Sequence, residues 1–403
     1  MRSPTDLRYG PLLALALADL GGAAAKAETG TDSAAQFEAV YTGEVFSNRR
    51  GGLRRGEEYL DNLDVTLTVD GEKLWHVPGL TLFAYALYNN TGSFSEKYSG
   101  DAFTATNIDA PRATRLYEAW VDYLFGAEGS HSIRAGLYDL NSEFDVSEPR
   151  SLFLNSVFGV GHDLGQTGVN GPSIFPVTSP GVRLDLELAP QWRLLGTVLD
   201  GVPGDADDPT ATTVRLDSDD GLLLVAELQR LSSGPLEKLA FGVWNYTEEV
   251  DRIVPEGAEP LGTSTNRGWY VSADSRFGAA EDEQAGPWRT SVRAGVAEES
   301  VNDYDLFLAT VLTYDLPTRE GREQSLGLGA AWARRSTDFR SAAEERVDDY
   351  EAVLELTWRV TVTDWLTLQP DVQYIVNPSA ARAVRNSLVL GLRFEVAAPA
   401  LHW

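Results

Sequence analysis

From about residue 37 onward, apolar and polar side chains take turns, and this period of two limits the possible folds more than any other feature. In Gly181-Val-Arg-Leu-Asp-Leu-Glu-Leu-Ala189, the side chains of Val182, Leu184, Leu186 and Leu188 fall on one face. Arg183, Asp185 and Glu187 fall on the other. Successive side chains of a strand point to opposite faces, so the pattern predicts strands with one apolar and one charged side. It recurs at 63–69, 132–138, 350–359 and 388–395, while long helical patterns are nearly absent. The spacing predicts about sixteen strands, near 37–45, 60–69, 79–88, 114–124, 132–140, 181–188, 191–199, 221–230, 237–246, 267–277, 288–297, 304–314, 325–334, 347–360, 365–376 and 386–395. Each is near the roughly ten residues that a tilted membrane strand requires.

A sandwich and a barrel can both carry such strands, and the connections separate them. The odd-numbered connections include 46–59, 89–113, 141–180, 200–220, 247–266 and 335–346, and they are long. The even-numbered ones include 189–190, 231–236 and 361–364, and they are short. Segment 298–303 is a short exception in the first set and 278–287 a longer one in the second. This asymmetry, with an even strand count, predicts an all-β fold, an antiparallel transmembrane β-barrel with long extracellular and short periplasmic connections. No segment reaches the roughly 18 consecutive apolar residues of a spanning helix. Only helices and closed barrels satisfy the backbone in lipid, so crossing falls to the barrel. Trp192, Trp269, Trp288, Trp365, Tyr304 and Tyr314 lie near strand ends, where a girdle of aromatic rings at the headgroup level is expected. Arg2 and Arg8 precede an apolar run that ends at Ala25-Lys-Ala27, which predicts a signal peptide over 1–27 and export of 28–403 as one outer-membrane barrel.

Composition excludes several functions. The formal charge is -27, the wrong sign for a nucleic-acid footprint. There is no cysteine, and the four histidines have no metal-ligand spacing, so no metal site and no cofactor are expected. No G-x-S-x-G occurs and no histidine has a serine partner at a motif spacing, so no catalytic site is expected.

The stretch 141–180 breaks the rhythm. Ordinary connections have a median of roughly 4–6 residues, and those beyond about 12–15 are usually functional. This one carries Phe144, Leu152, Phe153, Leu154, Val157, Phe158, Val160, Ile174, Phe175 and Val177, which suits an enclosed space rather than water. Glu143, Asp145, Glu148 and Asp163 stand against Arg150. The reading is a loop folded into the lumen that sets the bore.

The chain resembles the bacterial carbohydrate-selective porin family of the OprB type. The resemblance rests on Tyr41-Thr-Gly-Glu-Val-Phe-Ser-Asn-Arg-Arg-Gly-Gly52, Gly136-Leu-Tyr-Asp-Leu-Asn-Ser-Glu-Phe144, Gly168-Val-Asn-Gly-Pro-Ser-Ile-Phe-Pro-Val-Thr-Ser179, Leu199-Asp-Gly-Val-Pro-Gly-Asp205 and Leu368-Gln-Pro-Asp-Val-Gln-Tyr-Ile-Val-Asn-Pro378. It implies a sixteen-stranded outer-membrane channel that passes monosaccharides and similar small polar solutes by diffusion. The tail 397–403 and the acidic balance depart from it. A sugar in a pore needs hydrogen bonds that replace its hydration yet release it. Arginine donates in a planar fork and carboxylates accept. The candidates for a charged constriction are Arg134, Tyr138, Arg183 and Asp185 on strands beside the long loop, Arg289 and Arg293 across the barrel, and Glu143 and Asp145 on the loop. Asn48, Arg49 and Arg50 are further candidates. The expected partners are small neutral sugars and outer-membrane lipid. A general ion-preferring porin without a dedicated sugar site is the alternative, and neither the sugar, the ion preference nor the oligomeric state follows from the sequence.

Overall fold

The computed structural model describes residues 33–402 apart from 91, 206–207, 209, 211, 218, 279–287, 317–321 and 345. The segment expected to be a signal peptide lies outside the described residues. The strands are β1 (Ala35–Gly52), β2 (Gly56–Asp70), β3 (Leu80–Asn90), β4 (Ala113–Phe125), β5 (His131–Tyr138), β6 (Ser179–Ala189), β7 (Trp192–Asp200) and β8 (Leu222–Leu231). They continue with β9 (Leu236–Asp251), β10 (Thr263–Phe277), β11 (Trp288–Ala297), β12 (Tyr304–Asp315), β13 (Gln324–Arg335), β14 (Tyr350–Thr363), β15 (Leu366–Val376) and β16 (Arg385–Ala397). Each pairs antiparallel with its neighbour in sequence, and β1 pairs with both β2 and β16, which closes the barrel. The tail adds a two-residue strand, β17 (Leu401–His402), paired with Gln36 and Phe37 at the start of β1.

The alternation sorts side chains as its period requires. Val182 and Leu184 are 48% and 38% exposed on the outer surface, whereas Arg183 and Asp185 are buried on the inner one. Leu354, Leu356 and Trp358 likewise face out while Glu351, Glu355 and Thr357 face in. Glu187 is exposed, because it lies near the periplasmic end of β6. Trp192, Trp269, Trp288 and Trp365 are exposed where a girdle places them, and Tyr314 packs on Trp288 with ring centroids 4.6 Å apart. Tyr304 departs from the expectation. By count it shares the outward parity of Leu308, but a register shift between Tyr304 and Leu306 turns it inward, where it is buried and donates from its hydroxyl to Glu351 at 3.2 Å.

The connection expected at 46–59 is also corrected. β1 and β2 run on as a paired hairpin through most of it, leaving only 53–55 between them.

The long loop between β5 and β6 turns inward. It contains short 3-10 turns at Leu140–Ser142, Arg150–Leu152 and Ser156–Phe158, and one helical turn at His162–Gly165. Phe144, Phe153, Leu154, Val157 and Phe158 are buried against the inner wall. Phe153 and Phe158 lie over Gly329, where an added Cβ would come within 2.8 Å of both rings. The chain needs glycine on β13 for the loop to seat so closely.

Candidate functional site: the lumen and its inward loop

Hydrogen bonds trace the loop around the wall. Asp145 donates its backbone N–H to Glu227 on β8 at 2.8 Å, and Ser147 donates to Asp274 on β10 at 2.8 Å. Lys238 of β9 donates to the Val146 carbonyl at 2.7 Å. On the far side, Glu355 of β14 accepts the N–H groups of Leu154 and Asn155 at 2.6 and 3.1 Å. Gln369 and Gln373 of β15 hold Leu152 and Asn155. The return leg is fixed by Gln166 donating to the Tyr304 carbonyl at 2.6 Å. No described hydrogen bond or ion pair of residues 141–180 reaches β16, β1, β2 or β3. The β3–β4 connection folds into that gap: Asn107 donates its backbone N–H to the Leu154 carbonyl at 2.7 Å, Ser156 donates to the Thr104 carbonyl at 3.1 Å, and Thr106 donates to Glu44 of β1 at 2.7 Å.

Two charge clusters seat the loop. In the first, Arg134 and Arg183 are directly opposite each other on β5 and β6. Glu143 accepts two bonds from Arg183, at 2.7 and 2.8 Å, and lies 3.5 Å from Arg134. Asp122 of β4 accepts from both arginines, at 3.2 and 2.8 Å, and Ser132 takes the remaining Arg183 donor. Burial alone would raise Glu143, but Arg134 and Arg183 outweigh it and hold its carboxyl below the usual range. In the second, Asp145 accepts from Arg293 at 2.7 Å and from Arg150 at 2.8 Å, and Arg293 also binds Asp163. Burial opposes ionisation of Asp145, yet Arg293 and Arg150 depress its pKa; at Asp163 burial wins and the pKa rises. Arg150 additionally donates to the Phe158 and Gly159 carbonyls and staples the loop to itself.

The expected pairing of loop acids with wall arginines is thus present for Glu143 and Asp145. Burial changes its meaning. Arg183 is 2% exposed and Arg293 0%, with their guanidinium groups taken up by carboxylates and Ser132, so they anchor the loop rather than offer donors to a solute. Arg289 pairs with Glu148 instead of Glu143 or Asp145, and Asp185 pairs with Arg193. Tyr138 is buried and bonds Thr197. Asn48 is buried outside the constriction and donates to three carbonyls, of Gly51, Arg54 and Tyr98, while Arg49 and Arg50 are exposed at the extracellular tip of β1.

What the sequence reading missed lies largely along the wall from β16 through β1 to β4. Arg134 lies flat over Trp120 at 3.8 Å, and Phe83 stacks behind Trp120 with centroids 4.8 Å apart. Tyr85 donates to Asp64 at 2.5 Å and Asn62 donates to it at 2.6 Å. Arg393 holds Glu44 and Asn107. The inward parity of β1 to β4 and β16 marks most of these residues; a bulge in β4 hides Glu118 and Trp120.

A closed antiparallel barrel narrowed by an inward loop and lined with paired charges is a diffusion channel rather than an enzyme. Residues 54–397 match the model of the carbohydrate-selective porin, OprB family, and the chain belongs to that family of outer-membrane channels. Porin B of Pseudomonas aeruginosa is 23% identical, over 89% of this chain and 86% of that protein. The high-pH structure of Pseudomonas putida OprB superposes with a TM-score of 0.80 at 18% identity, covering 91% of this chain and 94% of that one. The outer-membrane channel DcaP of Acinetobacter baumannii gives 0.53 at 11% identity, covering 90% and 97%.

Proposed function

We propose that the channel passes monosaccharides and similar small neutral solutes through the part of the lumen left open by the inward loop and the infolded β3–β4 connection. The carrying observation is the Arg134 guanidinium lying on Trp120 and shared with Asp122 and Glu143. Arg134 and Trp120 are 5% and 6% exposed and Trp120 is covered by Arg134 and Phe83, so a solute meets the edge of this stack, beside carboxylates that accept from hydroxyls. Tyr85, Asp64 and Asn62 supply further donors and acceptors on the adjoining strands β3 and β2. Arg183, Arg293, Asp145 and Arg289 act at one remove, by fixing where Glu143 stands, and Tyr138 and Asp185 complete the wall beside them. The chain is exported through cleavage after Ala27.

Solute-swelling rates of proteoliposomes test this reading. Glucose should enter faster than neutral apolar or charged solutes of equal size, and Trp120→Ala should reduce that preference several-fold. Equal rates for glucose and its charged counterparts would assign the protein to general, ion-preferring diffusion instead.

A further inference from the structure

The segment Asn48-Arg-Arg-Gly-Gly-Leu-Arg-Arg55 has no part in the lumen, yet it is built with care. Gly51 and Gly52 have φ of +67° and +63°, the left-handed region that glycine allows. The Asn48 amide clamps the carbonyls of Gly51, Arg54 and Tyr98 at 2.8–2.9 Å and accepts from Ser387 at 2.8 Å. The Arg54 guanidinium lies 4.8 Å above the Tyr98 ring and donates to the Lys97 carbonyl at 3.0 Å. The result is a rigid hairpin that displays Arg49, Arg50, Arg54 and Arg55, all exposed, with Arg385 beside it through the Gly52–Arg385 pairing. Among the described residues none of these five arginines makes an ion pair. In a chain of charge -27, where arginines elsewhere are mostly taken up by carboxylates, five left over in one place are out of keeping. The neighbouring acids do not cancel them. Glu58 is paired with Lys97, and Glu57 and Glu96 remain.

Height and facing point to the partner. Past a register shift at Arg49, Arg50 lies opposite Leu388, on the outward parity of Leu390 and Leu392; Val45, opposite Leu392, is level with Tyr59, and both are exposed on the lipid-facing side. The four steps of β16 from Leu392 to Leu388, at about 3.3 Å each on a strand tilted about 40°, put Arg50 roughly 10 Å above that aromatic level. That is headgroup height, and it faces away from the pore. Arginine recognises phosphate through two parallel hydrogen bonds, and clusters of four or more bases beside a membrane bind anionic lipid.

We propose that this hairpin binds the phosphate groups of an anionic glycolipid in the outer leaflet. The arginines act as fixed forks above the barrel wall, and the site is independent of the sugar reading. The full-length barrel in detergent, with folding checked by heat-modifiable gel mobility, is titrated with diphosphoryl lipid A, and bound lipid is counted by native mass spectrometry. At about five-fold per base, Arg49→Ala, Arg50→Ala and Arg55→Ala together should weaken binding about a hundred-fold. The matching triple lysine variant should stay within about ten-fold of wild type, which separates lost charge from a damaged hairpin. Unchanged binding in the alanine variant overturns the proposal, as does equal binding of the dephosphorylated glycolipid. Binding of inorganic phosphate without retention of lipid A also overturns it, and would make the hairpin a collector of anionic solutes.

Discussion

At the scale of single residues, neighbouring positions on β6 answer to different solvents. Leu184 faces lipid and Arg183 the lumen. Leu184→Arg places a charge near mid-membrane at about 2–4 kcal/mol, so folded protein in the outer membrane should fall sharply. Arg183→Leu suits neither the lumen nor the loop. It leaves Glu143 and Asp122 with Arg134 alone between them, and breaking a buried pair costs about 3–5 kcal/mol. That loss falls on the loop rather than on the strand ladder. The barrel should still insert, with a higher and noisier single-channel conductance. A quiet Arg183→Leu channel of wild-type conductance would mean that Arg183 does not seat the loop. Gly329→Val makes the same point from the opposite wall, because its side chain would collide with Phe153 and Phe158 and lift the loop.

At the scale of the element, the inward loop is held at several separate places, so its removal should not act all at once. Deleting Gly159 to Gly168 takes away Asp163, the Gln166 bond and the helical turn, but leaves the Glu143 and Glu355 anchors. Bilayer conductance should rise more than in Arg183→Leu, and an unchanged value would place the constriction elsewhere. The loop should also respond to acid. Glu143 and Asp145 are depressed below their ordinary values of 4.5 and 3.8, so their stabilisation is complete above those values. It is lost as pH falls below them, through the folded pKa values. Asp163 is raised and runs the other way, partly offsetting them. Conductance should be steady from neutral pH to about 4.5 and become noisy at more acid pH; noise that appears by pH 6 would contradict this sign. Much of this was legible in the sequence, because a period of two needs only local information. It put Arg134, Arg183 and Arg293 inside, and length with apolarity put the loop there with Glu143 and Asp145. Partner choice across the lumen was not legible. Whether Arg289 meets Glu148, or Glu355 caps Leu154, depends on where the loop crosses the barrel. The period assigns Tyr304 to the outer face, and a register shift beside it, which no local pattern marks, turns it inward. The β1–β2 hairpin was shortened because Arg-Arg-Gly-Gly reads as a loop although the strands continue above the membrane.

At the scale of the whole molecule, the charge along the pore decides which ions share it with neutral solutes. The two loop clusters balance, Arg134 and Arg183 against Glu143 and Asp122, and Arg150 and Arg293 against Asp145 and Asp163. Asp64 is held by Tyr85 and Asn62, with no ion pair among the described residues. The extracellular mouth adds Asp205, Asp217, Asp219, Asp220 and Glu248 around one cavity of about 250 Å³, against Arg215. Carboxylates therefore outnumber bases along the path, and a low-dielectric wall focuses their field into it. The channel should prefer cations, read as a reversal potential in a potassium chloride gradient. Raising the ionic strength from 0.1 M to 1 M shortens the screening length from about 10 Å to about 3 Å, so the preference should shrink markedly. Glucose carries no charge, and its swelling rate should not change with salt. An anion preference, or a cation preference indifferent to salt, would show that the paired arginines rather than the surplus carboxylates face the permeating ion.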